Sequence, residues 1–446
     1  MCLKPKTIIV DQQHKRSVVS SQKEDTSTSM LWTIHGELYD LSEFVDRHPG
    51  GKEAILLGRG RDCTAMFESY HPFTNRHRDI LKKYESIGPH KNATMHVDEF
   101  YETLKRRVMK ELKEHNIDPV KDRTASRTRS LYYMCILFML FVTGSFHVKG
   151  HMLGSFAFAI FGWLVGCIGH DAGHFAASRI SILNDIGLWG ISLLCNPIMW
   201  QHQHTFAHHS HTNDFDKDPD LHHFVTFLRV HRKFQHDTLY EKQKNPFYVM
   251  FAYAFVVIGE CLSIPIGMLQ TGLLHGIIEW TDKKRPMRAL GFYFHYVAYF
   301  SLVFLSPKFY GRSIFHSFAC GLIHIVTAGW LFAVFSQINH LNEFSIESHR
   351  GETSEKILKS SWAARQVATS NNFATKSRFW HILSNGLNMQ IEHHLFPGLN
   401  HCHLHIIQPV VQKTCTEYGV HYKSFDTWSD VFTATLNWLN QLSSAE

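Results

Sequence analysis

The sequence lacks paired cysteines and any concentrated run of basic charge. No CxxC pair occurs among its nine cysteines, and several of them lie in apolar runs. We therefore interpret them as small buried side chains in a reducing compartment, not as a disulfide framework. The 45 lysines and arginines face 39 acidic residues and are scattered along the chain, which argues against a nucleic-acid partner. Residues 1–29 are polar and lack the apolar core of a signal peptide, so we expect a disordered tail.

Histidine is present in excess, with 34 copies. The densest segment, WQHQHTFAHHSHTNDFDKDPDL, starts at Trp200 and holds five histidines within ten residues. Two further histidine motifs are HDAGH at residues 170–174 and QIEHH at residues 390–394. Neutral imidazole is the commonest side-chain ligand of transition metals. The three motifs therefore predict a metal site.

Residues 30–90 predict a small soluble domain. Its first residues alternate apolar and polar side chains, as in a half-buried strand, and the DRHPGG loop at 46–51 leaves His48 projecting. A helical stretch then leads to His71, 23 residues later. Two histidines at this separation can bind a haem iron from both faces. The HPGG run, with YH at this distance, closely resembles the cytochrome b5 haem-binding domain. The resemblance implies that His48 and His71 are the axial ligands of haem b.

The rest of the chain alternates polar and long apolar segments. Residues 91–130 predict an amphipathic linker helix at a membrane surface, and the basic residues at 121–129 argue that this side is cytoplasmic. Two apolar runs, 181–200 and 247–272, contain polar residues or proline. The first is expected to lie in the membrane interface, and the second is expected to be interfacial or re-entrant. Four other runs are long enough to cross a bilayer: 131–148, 151–169, 290–306 and 313–337.

Membrane parity supports this count of four crossings. If residues 247–272 also crossed, the third histidine motif would emerge on the opposite side of the membrane from the first two, and one metal site could not form. The basic loop at 281–288 also argues for the cytoplasmic side. The expected fold is an α+β domain (30–90), a linker (91–130) and an all-α integral membrane domain (131–446) with four transmembrane helices. Both termini and every histidine motif would be cytoplasmic.

Eight histidines have access to one site at the membrane surface. His170 and His174 lie one helical turn apart, His204 and His208 repeat this spacing, and His340 ends the last apolar run. The full set is His170, His174, His204, His208, His209, His340, His393 and His394. Eight nitrogens are too many for one ion and suit two. The absence of thiolates favours two non-haem iron ions that activate oxygen.

Other polar residues near the motifs are expected to orient the metal-bound rings by hydrogen bonds. The candidates are Gln390, Asn388 and Asp214. Gln390 also stands where a further ligand could bind, and residues 218–220 are expected to form a turn. His202 and His211 are not expected to bind metal, and the sequence leaves the role of His381 open.

The motif pattern as a whole resembles the front-end acyl desaturases over about residues 31–430. HxxxH is followed by HxxxHH with TN and DPDL, then by QIEHH, behind a cytochrome b5 domain. The resemblance implies that the eight histidines bind two irons. It also implies a cis double bond between an existing double bond and the carboxyl end of a polyunsaturated acyl chain, at Δ5 or Δ6. The resemblance further implies dioxygen, an acyl-CoA or phospholipid substrate and NADH-cytochrome b5 reductase as partners. It implies the endoplasmic reticulum membrane as the location.

Other functions are compatible with parts of the pattern. A sphingolipid Δ8 desaturase or a hydroxylase would use similar histidine motifs. A histidine-rich membrane metal transporter would explain the histidines but has no evident need for an attached haem domain. A non-catalytic haem-binding membrane adaptor would leave all three motifs accidental. Among these functions we favour desaturation. It breaks unactivated C–H bonds and therefore needs a metal oxidant, because general acid–base groups cannot remove these hydrogens.

Overall fold

A small α+β domain forms the N-terminal part of the protein. The computed structural model describes residues 30–90, 98–347 and 355–444, so the tail expected at residues 1–29 lies outside the described residues. The domain contains strands β1 (Trp32–Ile34), β2 (Glu37–Tyr39) and β3 (Gly88–Pro89), a 3-10 turn (Ser42–Arg47) and helices α1 (Lys52–Leu56), α2 (Thr64–Ser69) and α3 (Arg76–Leu81). This composition confirms the predicted α+β class.

The sheet of this domain is antiparallel, in the order β1-β2-β3, with Trp32 opposite Tyr39. His35 and Gly36 join β1 to β2 with positive φ values of 49° and 84°, which is the backbone of a type I′ hairpin turn. Trp32 is almost fully buried, and its indole N–H donates to the Ile55 carbonyl oxygen at 2.7 Å. Strand β1 is thus anchored to α1, and because its three residues are all buried, the strand predicted to be half-buried is buried on both faces.

Helix α4 (Glu99–Glu114) connects the two domains. It is amphipathic, as the sequence predicts, but its apolar face is covered by protein and not by a membrane. Leu104, Val108 and Leu112 are fully buried in a cluster that includes Ile407 from the C-terminal part of the chain. The expected position at the membrane surface is therefore corrected, because the packing of the C-terminal helices supplies the apolar partner that the sequence alone left open.

The second domain is mainly helical. Its helices are α5 (Arg127–Val148), α6 (Met152–Gly173), α7 (Ser181–Gly187), α8 (Pro197–Trp200), α9 (His209–His211), α10 (Pro246–Ala254), α11 (Val256–Ile258), α12 (Ile264–Thr271), α13 (Pro286–Phe300), α14 (Ser306–Phe309), α15 (Ile314–Ser336), α16 (Glu343–Ile346), α17 (Glu355–Ser360), α18 (Trp362–Ala368), α19 (Arg378–Leu383), α20 (Gln390–Leu395), α21 (Leu404–Glu417) and α22 (Trp428–Leu442). Short strand pairs are β4 (Leu273–Leu274) with β5 (Ile278–Glu279), antiparallel, and β6 (Asn372–Phe373) with β7 (Ser424–Phe425), parallel.

Five helical segments among the described residues are long and apolar enough to cross a membrane. Four of them correspond to the predicted crossings: Arg127–Val148, Met152–Gly173, Pro286–Phe309 and Ile314–Asn339. A sixth candidate, Ser181–Leu193 with Pro197–His211, is bent by 112°. The protein is therefore a membrane protein, and the number of crossings is close to the predicted four.

The fifth segment, Pro246–Thr271, is also long and apolar enough to cross a membrane. It is interrupted by breaks and by a π-helical stretch at Gly259–Ser263. Near its start, the Tyr248 hydroxyl donates to the Phe227 carbonyl oxygen at 3.2 Å. Just after its end, the ring of His275 lies 5.5 Å from that of His223. Residues 223–227 therefore run along this segment. Because the segment is long enough to span, its interfacial or re-entrant position stays a prediction.

The helical bundle has two distinct ends. At one end, Arg312 Nε donates to the Lys149 carbonyl oxygen at 2.9 Å, and His316 Nε2 donates to the Gly150 carbonyl oxygen at 2.7 Å. The two helical hairpins therefore turn at the same end. The α+β domain packs on the other end, where α6 finishes at Gly173 and all three histidine motifs lie.

The two domains share a hydrophobic cluster that includes Phe175 and Phe206 together with residues of the α+β domain. The Arg61 guanidinium lies 4.5 Å from the centre of the Phe206 ring, a cation–π contact. Glu53 pairs with Arg288 at 3.4 Å and also with Arg285. Apolar burial and partly buried ion pairs thus dock the small domain beside the histidine motifs.

Candidate metal centre and haem pocket

All eight histidines predicted as metal ligands lie in one largely buried cluster, which we call the histidine cluster. Each motif reaches it from the end of a helical element. His170 and His174 come from the C-terminal end of α6, and His340 comes from the 3-10 turn that follows α15. α20 supplies His393 and His394. Because these elements end at the same end of the bundle, residues more than 200 positions apart in the chain meet.

The central motif is wound as a π-helix from Gln201 to His208, a rare conformation that is frequent at functional sites. Its i→i+5 pattern brings His209 beside His204, with their Nε2 atoms 3.2 Å apart. The His208 ring still stacks on the His204 ring, with centroids 4.9 Å apart. The one-turn spacing predicted only the pairing of His204 with His208. The π-helix explains how the third histidine also faces the cluster.

Two groups of ring nitrogens are compact enough to hold a metal ion, with their ligand atoms within 4.8 Å of one another. The first group is His170, His174, His204 and His393, and the second is His208, His340 and His394. His209 lies between the groups, with its ring 4.4 Å from that of His174 and stacked at 4.2 Å on that of His394. The geometry therefore offers two adjacent metal-binding groups.

Most of these rings are held from outside the cluster through their far nitrogen, Nδ1. The Nδ1 partners are Tyr70 hydroxyl for His174 (2.6 Å), Asp220 for His204 (3.5 Å), Asp218 for His208 (3.0 Å), the Thr369 carbonyl for His340 (3.0 Å), His401 for His393 (3.0 Å) and Gln366 for His394 (2.8 Å). A ring whose Nδ1–H donates outward presents the lone pair of Nε2 inward, and such support is usual around metal-bound histidine.

His401 and Asp171 are supporting residues that the sequence reasoning missed. His401 Nε2 lies 3.0 Å from His393 Nδ1, and His401 Nδ1 lies 3.1 Å from an Asp171 oxygen. Asp171 also accepts a hydrogen bond from the Tyr133 hydroxyl. The run NHCHLH at 400–405, shortly after the third motif, was the signal available in the sequence. A buried carboxylate therefore acts on His393 through a second imidazole.

The predicted carboxylate support is corrected from Asp214 to Asp218 and Asp220. Asp214 accepts a hydrogen bond from the Asp216 backbone N–H at 3.1 Å, within its own turn. Asp218 and Asp220, which were expected only to form a turn, contact His208 at 3.0 and 3.5 Å. The turn exists, with Asp218 accepting from the Asp220 N–H at 3.0 Å, and it is what aims both carboxylates at the rings.

Gln390 and Asn388 have different positions. Gln390 Nε2 lies 3.0 Å from His340 Nε2 and 3.2 Å from His394 Nε2, so its amide faces the second metal-binding group directly. The opposite amide orientation would aim its oxygen at the same space. Asn388 Nδ2 donates to the Ala374 carbonyl oxygen at 3.4 Å. Gln390 thus stands where a further ligand could bind, whereas Asn388 supports a neighbouring loop.

The remaining histidines of interest lie apart. None of the metal-binding groups within the described ranges contains His202, His211 or His381. His202 Nε2 pairs with Asp282 at 3.0 Å. The ring of His381 lies beside that of His405, with centroids 6.4 Å apart. That His202 and His211 do not bind the metals stays a prediction.

The carboxylates dominate the electrostatics of His208. Burial alone would lower the pKa of His208, but Asp218 and Asp220 outweigh burial and raise it to about 9. The ring is therefore strongly held through its Nδ1–H. A carboxylate behind a ring also makes its inner nitrogen a more basic ligand.

The inner nitrogens fit bound metal. His174 Nε2, His208 Nε2 and His393 Nε2 are buried and have no hydrogen-bond partner within residues 30–90, 98–347 and 355–444. A buried polar atom left unsatisfied costs about 1–3 kcal/mol, and coordination would remove this cost. A nitrogen-rich set without thiolate suits iron.

A narrow, mostly apolar cavity of about 40 Å³ adjoins the histidine cluster. His170 and His208 line it together with Trp163, Leu194 and Phe332. Trp163 precedes His170 by seven residues in α6, which corresponds to about 10 Å along the helix axis. The cavity therefore runs from the ring nitrogens toward the membrane interior, between α6 and α15.

The haem pocket is a separate cavity of about 620 Å³, within the roughly 300–1,000 Å³ usual for cofactor sites. The rings of His48 and His71 face each other, with centroids 6.1 Å apart and planes at 89°. His48 Nδ1 donates to the Gly51 carbonyl at 3.0 Å and His71 Nδ1 to the Phe67 carbonyl at 2.8 Å. Burial lowers the pKa of His48, and lowers that of His71 to about 3. Both rings are therefore neutral with Nε2 free to bind iron, so they fit a haem.

Comparison with known proteins decides the family. The family model described as "Fatty acid desaturase" matches residues 148–426, more than half of the chain. The chain belongs to the fatty acid desaturase family. Residues 16–91 match the model of the "Cytochrome b5-like Heme/Steroid binding domain". No solved structure matches.

Curated relatives cover nearly the whole chain. The chain is 28% identical to "Acyl-lipid (8-3)-desaturase B" of Dictyostelium discoideum, over 95% of this chain and 92% of the relative. It is 26% identical to "Delta(5) fatty acid desaturase A" of the same organism, over 98% and 95%. It is 27% identical to "Delta(8)-fatty-acid desaturase 2" of Arabidopsis thaliana, over 94% and 92%.

The desaturase is thus an oxidoreductase with a cytochrome b5-like domain in front of its membrane domain. The resemblance to the front-end acyl desaturases is confirmed. The cytochrome b5-like domain implies haem, and the family implies iron, for which the histidine groups are suited. The transporter and adaptor alternatives are excluded because the chain is an enzyme of this family.

Proposed function

We propose that this desaturase inserts a cis double bond at the Δ5 position of a lipid-linked polyunsaturated acyl chain. The observation that carries the proposal is the pair of histidine groups opening onto an apolar cavity. The relatives named as a Δ5 desaturase and as an acyl-lipid desaturase support the bond position and the acyl carrier. Apolar side chains line the end of the cavity away from the cluster, as a hydrocarbon chain requires, and Asp220 lies at the histidine end.

In this proposal each histidine group holds one iron ion. His170, His174, His204 and His393 would bind the first, and His208, His340 and His394 the second, with His209 between them. When bound, the iron pair supplies the oxidising power of dioxygen that breaking two unactivated C–H bonds requires. The overall reaction converts the acyl chain, dioxygen, two electrons and two protons into the alkene and two waters.

The chain's own residues orient the substrate and exclude water. Trp163, Leu194 and Phe332 would hold the acyl chain in the cavity, so that two neighbouring methylenes face the cluster. The indole N–H of Trp163 donates to the Leu383 carbonyl oxygen at 2.8 Å, which fixes this wall. The distance along the chain from its head group to the cluster would then set the position of the double bond.

The cytochrome b5-like domain would supply electrons. His48 and His71 would hold haem b from both faces, supported by the opposed rings and by the outward hydrogen bonds of their Nδ1 atoms. NADH-cytochrome b5 reductase is the proposed external donor. Because the domain is docked beside the histidine cluster, the same chain would carry both the donor and the oxidation site.

We further propose that the protein lies in the endoplasmic reticulum membrane, with both termini, the cytochrome b5-like domain and the histidine cluster on the cytoplasmic face. The proposed divisions are 30–90 for the haem domain, 91–130 for the linker and 131–446 for the membrane domain. The docking of Glu53 on Arg285 and Arg288 supports this orientation, since it puts the basic loop beside the haem domain. Basic loops favour the cytoplasmic side.

Expression in yeast fed individual polyunsaturated fatty acids, followed by methyl-ester profiling, tests the proposal. We expect one new product with a cis Δ5 double bond. His393→Ala should give no product, whereas the matched variant His115→Ala, whose side chain is half exposed, should behave like the wild type. A bond at Δ6 or Δ8 would overturn the bond position alone. A product with an added oxygen would show a hydroxylase.

A further inference from the structure

Tyr70 lies between the haem pocket and the histidine cluster. It precedes His71 directly in the chain and lines the haem pocket. Its hydroxyl oxygen lies 2.6 Å from His174 Nδ1. The two rings are within 16° of parallel, with centroids 6.2 Å apart. One buried side chain therefore belongs to the wall of one site and supports a ligand of the other.

The residues around Tyr70 hold it in this position. Phe175 follows His174 and packs edge-on against the Tyr70 ring at 5.9 Å. Phe175 has φ of 56°, in the left-handed region, which is strained for a bulky residue and persists only where the surroundings enforce it. Arg123 donates to the Tyr70 carbonyl oxygen at 3.0 Å. His174, Phe175 and Arg123 thus hold Tyr70 in place.

The docking of the two domains surrounds this contact with other interdomain contacts. Tyr70, Phe175 and Phe206 share one hydrophobic cluster with the sheet of the haem domain. Arg61 and Glu53 add their cation–π and ionic contacts across the same interface. The haem domain therefore needs no diffusive encounter to bring Tyr70 to His174.

We propose that Tyr70 is a positioning residue that couples the haem pocket to the metal centre. Its hydroxyl oxygen accepts the hydrogen bond from His174 Nδ1–H and so selects the tautomer that presents Nε2 to a metal. A path of covalent bonds also runs from the His71 ring along the backbone to the Tyr70 hydroxyl group. A single hydrogen bond joins this path to the His174 ring.

This inference rests on the proposed function, in which the haem is the electron donor. With both groups bound, each transfer along the path would move one electron from the haem held by His48 and His71 to the metal centre. No bond between heavy atoms forms or breaks, and the proton stays in the hydrogen bond. The external reductase proposed above returns the haem to its reduced state.

Stopped-flow spectroscopy of the full-length holoenzyme tests the role of Tyr70. The haem is reduced with dithionite under anaerobic conditions and then mixed with dioxygen and an acyl-lipid substrate, and its reoxidation is followed by absorbance. Tyr70→Phe should slow reoxidation by about 10- to 100-fold, the usual effect of removing a partner of a metal-bound histidine. Its haem spectrum and its rate of reduction by dithionite should not change. Tyr39→Phe, in β2 of the same domain, should match the wild type.

The outcomes separate this inference from the proposed function. If wild-type haem reoxidises no faster than haem in the His393→Ala variant, the electron-donor role fails whatever Tyr70 does. Wild-type reoxidation in Tyr70→Phe, with its iron content intact, would overturn the coupling role. Loss of iron with an intact haem spectrum would support the positioning of His174. If Tyr70→Phe fails to bind haem, the Phe175→Leu variant provides the test. Unchanged haem reoxidation in Phe175→Leu would refute the coupling through Tyr70.

Discussion

The haem pocket and the histidine cluster both offer imidazole nitrogens to a metal. They differ in how far along the chain each ring lies from the residue that hydrogen-bonds to it. Gly51 holds Nδ1 of His48 from three residues away, and the support of His71 is four residues away. Tyr70 holds Nδ1 of His174 across 104 residues. The geometry of the haem ligands is thus a property of one short segment, whereas that of the cluster depends on the whole membrane domain.

This difference implies different sensitivities. A local pair of ligands needs only that its own loop and helix form, as α1 and α2 do around the haem pocket. A distributed cluster needs every helix end to arrive together, and its supporting residues are spread over Tyr70, Asp218, Thr369 and His401. Substitutions in the two regions should therefore be separable.

The largest expected effect comes from removing one ligand in each region. His208→Ala should abolish desaturation, by at least about 100-fold, and lower bound iron while leaving haem absorbance unchanged. His48→Ala should have the reverse signature, with haem lost and iron kept. Iron analysis and haem absorbance on both purified variants check this. Simultaneous loss of haem and iron from either variant would contradict the separation of the two regions.

A smaller effect is expected from the supporting carboxylate of the cluster. Asp218→Asn removes the charge behind His208, and we expect activity or iron affinity to fall by about 10- to 100-fold. Asp214→Asn, four residues away, is the matched control and should retain nearly full activity because Asp214 only closes its own turn. Equal losses in the two variants would show that the turn, and not the contact with His208, is what matters.

The smallest effect concerns the frame of the haem domain. Glu68 accepts a hydrogen bond from Arg78 at 2.9 Å. Burial alone would raise the pKa of Glu68, but hydrogen bonds from His35 and Arg78, with His77 3.8 Å away, outweigh burial and lower it below its ordinary value of 4.5. Such a carboxylate stabilises the fold above that value, and the stabilisation is lost as pH falls through the folded pKa.

Glu68→Gln should lower the free energy of unfolding by about 1.5–3 kcal/mol near neutral pH and reduce the loss of stability on acidification. Thermal unfolding followed by haem absorbance, from neutral pH to below pH 4.5, measures both quantities. The control is Glu43→Gln, at an exposed position of the same domain. An unchanged acid dependence in Glu68→Gln would refute the role of this carboxylate.

The features that could be predicted were local in the sequence. The alternation around Trp32, the HPGG loop with His48 and the separation to His71 all act within one small domain. Each histidine motif was also visible, because its ligands are one or a few residues apart. Crossings could be counted because a bilayer imposes its own length on apolar runs.

The features that could not be predicted depend on partners far away in the chain. The π-helical winding that turns His209 inward is set by the packing of neighbouring helices. The carboxylates behind His208 looked like a turn because their contact crosses from one element to another. Helix α4 looked like a membrane-surface helix because its apolar face has no marked partner in the sequence.

The sequence by itself determined which residues carry the chemistry: the haem-ligand pair, the three histidine motifs and the apolar spans, since residue type and short spacing suffice for these. Only the tertiary structure decided how they work together. It gathers the ligands into two adjacent groups, gives most of the rings an outer hydrogen bond, and brings Tyr70 of the haem domain to His174. The physical reason is that a nitrogen's direction depends on what holds the other side of its ring, and those partners arrive only when the helices pack.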